Sequence, residues 1–83
     1  MYLAQIQIKK IIDALKNGQT FARRGRVGFG LAYADNLFEF IEFDEAMSYS
    51  QVYSEEDFMV FLQKLNISQD DWRFLLEDLG IDL

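Results

Sequence analysis

The chain has 83 residues, 51% hydrophobic and 16% aromatic, with 8 Lys plus Arg against 14 Asp plus Glu and no Cys, His or Pro. It is one domain, 1–83, dense enough in apolar side chains to fold alone and too rich in them to be disordered. Missing Cys and His remove disulfides, thiolate and imidazole metal sites, and the commonest nucleophiles and general bases, so no enzyme activity, no cofactor and no metal is expected.

No run approaches the roughly 20 apolar residues of a membrane span. The opening Met1-Tyr2-Leu3-Ala4-Gln5 lacks the charged and apolar regions of a secretory leader. Without either signal the expected location is the cytoplasm, with no membrane partner.

In chain order, Ile8, Ile11, Ile12 and Leu15 form one apolar stripe and predict a helix over 5–17, stopped by Asn17-Gly18. Tyr2, Ala4, Ile6 and Ile8 also alternate as in a strand, but the stripe continues to Leu15 and favours helix. The period then changes. Thr20 to Arg24 reads as a short strand. Val27, Phe29, Leu31 and Tyr33 alternate with Gly28, Gly30 and Ala32, giving one bulky face and one bare face open to a helix or a ligand. Asp35-Asn36 is a turn pair, and Leu37 to Phe43 follows as the second arm of a hairpin. That arm is apolar on both faces and reads as central. Met47, Tyr49 and Tyr53 share one side of a further strand, with Ser48 and Ser50 opposite, a pattern that suits an edge.

Two helix starts of one design follow. Ser54 with Asp57, and Ser68 with Asp71, place a capping hydroxyl three residues before an acid, flanked by the staple pairs Tyr53/Phe58 and Ile67/Trp72. The fold class is therefore α+β: an N-terminal helix, a three- or four-stranded antiparallel meander and two C-terminal helices, in a two-layer sandwich with one sheet face covered.

Charge is split along the chain. Residues 1–34 hold six cations against one carboxylate, +5; residues 35–83 hold two cations against thirteen carboxylates, −11. Five of the acids fall in first helical turns, where they complement the helix dipole. Of the remainder, Glu39, Glu42, Asp44, Glu45, Glu77 and Asp78 are the candidate acidic surface for a partner. Glu39, Glu42, Asp44 and Glu45 show no calcium-loop spacing and sit in a chain too short for a deep catalytic cleft. They read first as a solvated hairpin end. Tyr49, on an edge strand beside serines, is the candidate aromatic anchor.

Arg23, Arg24 and Arg26 form the densest basic patch. They are either a site for phosphate or carboxylate, or neutralise the acidic half within the molecule or a dimer. With Phe29 and Tyr33 they outline an alternative, a small nucleic-acid-binding module that stacks bases on aromatic rings. The plainer reading puts Phe29 and Tyr33 in the core, on the helix-covered face. Residues 67–83 have the outline of the first helix and turn of a helix-turn-helix, but no recognition helix follows in this sequence and the helix is acidic, so direct nucleic-acid reading there is not expected.

In size, charge and fold style over its whole length the chain resembles the small acidic inhibitors encoded by phages and mobile elements, anti-CRISPR proteins among them. The resemblance implies a non-enzymatic protein-binding module that occludes a basic or nucleic-acid-binding surface, its carboxylates acting as a nucleic-acid mimic. It assigns no residue roles. A homodimeric structural or regulatory subunit, joined through the meander edge or the last helix, is the third reading.

Overall fold

The computed structural model describes residues 2–23, 28–44 and 47–81, with the backbone alone at Arg23. Helix α1 spans Gln5–Lys16 and buries the expected stripe of Ile8, Ile11, Ile12 and Leu15. The early strand-like alternation does not survive. Ile8 is fully buried while Ile6 is 66% exposed, because two positions on a helix lie on nearly opposite sides. The Gln7 side-chain oxygen accepts from the Ala4 backbone N–H at 2.9 Å, and Gly18 exits at φ +93°, a left-handed conformation suited to glycine.

Four strands follow: β1 (Phe21–Arg23), β2 (Gly28–Ala34), β3 (Leu37–Phe43) and β4 (Ser48–Tyr53), antiparallel in the order β1-β2-β3-β4. Arg24 and Val27, at the ends of the strands read from sequence, lie outside the described residues. Asp35 and Asn36 both take positive φ, 54° and 66°, which turns β2 into β3 in two residues with the handedness the strand twist needs. As expected, β3 is central and β4 an edge.

Cross-strand partners share a face, so the register sorts the sheet. Leu31 opposes Phe21 and Phe40, Phe29 opposes Glu42, and Phe38 opposes Tyr33 and Tyr53. This is the bulky face, and it carries the core: Phe21, Phe29, Leu31, Phe38 and Phe40 join the buried residues of all three helices in one cluster. The bare face of Gly28, Gly30 and Ala32, left open above to a helix or a ligand, receives no helix core residue. A helix over these glycines and alanines of β2 would find little side chain to bury, while the opposite side of β2 offers Phe and Leu.

Helix α2 (Glu55–Lys64) and helix α3 (Gln69–Asp78) start as the sequence predicts. The Ser54 hydroxyl oxygen accepts from Asp57 N–H at 3.3 Å and that of Ser68 from Asp71 N–H at 3.1 Å. The first staple forms, with the Tyr53 and Phe58 rings 5.9 Å apart. Phe58 stacks on Phe38 at 5.0 Å and Phe61 tilts onto Phe40 at 4.7 Å, which fixes α2 over β3. The result is an α+β fold, helix, four-stranded meander, then two helices. No helix among the described residues is long and apolar enough to cross a membrane.

Candidate functional site

One end of the sheet is open. Beyond Phe40 the strands β2, β3 and β4 continue past the ring of Phe61, and Glu42 is the next residue of β3 on that side. It stands directly opposite Tyr49 on β4 and Phe29 on β2. The first turn of α3 brings Asp71 to the same place. Between them lies a cleft of roughly 560 Å³, lined by Phe29, Phe40, Glu42, Phe43, Asp44, Tyr49 and Asp71 with Gly28 at its rim. A smaller recess of roughly 110 Å³ adjoins it, between Phe40, Glu42, Tyr49, Gln51 and Phe61.

The floor is aromatic. Phe29 stacks with Phe40 at 5.8 Å, and both rings are buried by the core on their other side. The rim is acidic, with Glu42, Asp44 and Asp71. Tyr49 is 53% exposed, and its hydroxyl donates to the Met47 sulfur at 3.4 Å. No three carboxylates among the described residues are grouped closely enough to hold a metal ion. The cleft therefore has the makings of a receptor for an extended cation: the exposed Tyr49 ring and the carboxylates around the mouth.

Of the residues singled out from sequence, the fold brings together Glu42, Asp44 and Tyr49. It separates the others. Glu39 is on the opposite face of the sheet, between Ala32 and Val52, because three positions along a strand reverse the side. Glu77 and Asp78 are exposed on the last turn of α3, about 10 Å along the helix from Asp71 at 1.5 Å per residue. A single acidic patch of all these groups is not what the molecule presents. Glu45, Arg24 and Arg26 lie outside the described residues, as does the side chain of Arg23.

The sequence marks Asp71 only as the acid of the second capping motif and a partner for the helix dipole. Its part in the cleft depends on where α3 packs, against β1 among other neighbours, which no local pattern encodes. Phe29 is 7% exposed and packs against Phe21 at 5.1 Å as well as Phe40. Tyr33 is half-buried against Phe38 at 4.7 Å, and its hydroxyl donates to Asn36. Both rings belong to the helix-covered face, as the plainer reading has it, with Phe29 buried and Tyr33 half-buried.

Among the described residues, Lys16 and Arg73 are engaged within the fold. Lys16 at the end of α1 pairs with Glu55 at the start of α2, and Arg73 pairs with Asp70 at 3.1 Å. The Glu55 carboxylate holds the Lys16 ammonium above its ordinary 10.5. Comparison with family models, characterised proteins and solved structures yields no match to this chain.

Proposed function

We propose that this chain is a non-enzymatic acidic protein-binding module that occludes a basic, nucleic-acid-binding surface of a partner protein, an inhibitor of the anti-CRISPR-like anti-defence class. The supporting observation is the cleft at the end of the sheet. Glu42 and Tyr49 face each other across β3 and β4 at its mouth, with Asp44 and Asp71 along the same opening. An Arg or Lys side chain entering there meets a carboxylate and an aromatic face together. A charge-assisted bidentate bond and a cation–π contact each gain strength when water is excluded. The net charge of −6 adds long-range attraction to a basic surface and speeds encounter.

The nucleic-acid alternative lacks exposed ring faces at Phe29 and Tyr33. A direct test uses an oligo-arginine peptide as the probe, titrated into the isotopically labelled protein at low and at physiological salt. Shifts should centre on Glu42, Asp44, Tyr49 and Asp71, and affinity should fall steeply with salt. Shifts confined to Glu77 and Asp78, or none, would remove the cleft as the binding surface. Retardation of labelled RNA or DNA at physiological salt would favour the alternative.

A further inference from the structure

The outer face of the sheet is the anomaly of this fold. A solvent-facing side of an antiparallel sheet is ordinarily polar. Here, among the described residues, Glu39 is its one charged side chain, in a chain that is 27% charged. Leu37 is 40% and Val52 59% exposed, and Ile41 is half-buried beside them. None of these belongs to the core cluster.

The face is also divided. Leu37, Ile41 and Val52 make a raised half on β3 and β4, while Ala32 and Ala34 make a low stretch on β2 that ends at Gly30, where the Phe43 ring lies over the strand. The register sets Ala34 beside Leu37 and Ala32 beside Glu39, with Val52 on the far side of Glu39. A two-fold axis along the strands, between β2 and β3, lays the raised half of one molecule on the low stretch of another. We infer that this face is the interface between two copies of the chain, packed sheet to sheet with the helices outside.

Area supports a second copy as the occupant. Strands of three, seven, seven and six residues present roughly 400 Å² in projection, so closing the face between two molecules removes on the order of 1,000 Å² of accessible surface, the threshold for a specific dimer. Glu42 lies on the other face, and Glu77 and Asp78 sit on a helix of the other layer. Those three acids are thus held away from the contact, while Glu39 stays within it and, under this axis, stands beside the Glu39 of the other copy. An interface of this kind is isologous, the same patch serving both molecules.

Sedimentation equilibrium over a wide concentration range tests the inference. The wild type should approach twice 9.8 kDa. Val52→Lys and Leu37→Lys, both at exposed positions, should keep the wild-type circular dichroism and weaken the dimer by about tenfold or more, as expected for charges placed in an interface centre. Glu39→Gln should tighten it by relieving the one repulsion. A wild type that stays monomeric at the highest concentration overturns the inference. So does a dimer indifferent to Val52→Lys, which would have to form through the β4 edge or a helix. The cleft titration above reads a different surface, so failure of one leaves the other standing.

Discussion

The ring of Phe43 lies against Gly30, and a Cβ built on that glycine would stand 3.5 Å from the ring edge and 2.9 Å from the carbonyl oxygen of Phe21. Gly30 is therefore required by the close approach of β1, whereas the Phe43 ring stands at ordinary van der Waals distance. The ring in turn covers a strand glycine that would otherwise leave its backbone open, a known remedy for glycine in sheets. Gly30→Ala should push β1 away from β2 and destabilise the protein by roughly 1–3 kcal/mol, the usual cost of overpacking. Urea midpoints at unchanged slope would measure it, and an unaltered midpoint would mean that β1 yields freely.

The two capping serines make a second prediction. Each accepts one backbone N–H that has no partner inside its helix. Ser54→Ala and Ser68→Ala should each cost about 1 kcal/mol. The caps belong to different helices, so the double variant should show the sum within a few tenths of a kcal/mol. A marked departure from additivity would mean that α2 and α3 start as one coupled unit.

These caps were legible in the sequence because they are local: a hydroxyl, an acid three residues later and a staple pair within six positions. The Asp35-Asn36 turn was legible for the same reason, since few residues accept positive φ. The covered face of β2 followed from side-chain size. The cleft was legible only in part. Glu42, Asp44 and Tyr49 sit within eight positions and were singled out, but Asp71 joins them through the packing of α3. Glu39 shows the opposite failing: it was grouped with Glu42 by nearness in sequence, although the two-residue period of a strand already places them on opposite faces.

The pair between Lys16 and Glu55 ties the end of α1 to the start of α2 and sets a pH dependence at the alkaline end. Lys16 binds its proton more tightly folded than unfolded, since its value is raised above 10.5 mainly by the bond to Glu55. The contribution of the pair is then complete below the unfolded value and is lost as pH rises through the folded one. Unfolding of Lys16→Met should differ from wild type by a constant small amount at neutral pH, and the difference should close above about pH 10.5. Both side chains are nearly half exposed, at 43% and 46%, so salt should shrink the difference at every pH. A gap that widens with pH would assign the shift to some other group.

Charge reversal at two places distinguishes a site from a general field. Glu77 and Asp78 occupy the last turn of α3, which holds no basic residue, and a carboxylate there opposes the helix dipole. Glu77→Lys should therefore stabilise the protein by about 0.3–1 kcal/mol. Glu42→Lys alters the net charge by the same amount, so any binding that depends only on overall charge should fall equally in the two variants. A cleft that grips a cation through Glu42 and Tyr49 predicts otherwise. Oligo-arginine affinity should drop about tenfold further in Glu42→Lys than in Glu77→Lys, as removal of one partner of a close charge pair requires. Tyr49→Leu, which keeps the net charge, should lose the cation–π part alone, a factor of a few at this exposure. Equal losses in the two lysine variants, with Tyr49→Leu silent, would leave the attraction to the field of the whole molecule and withdraw it from the cleft.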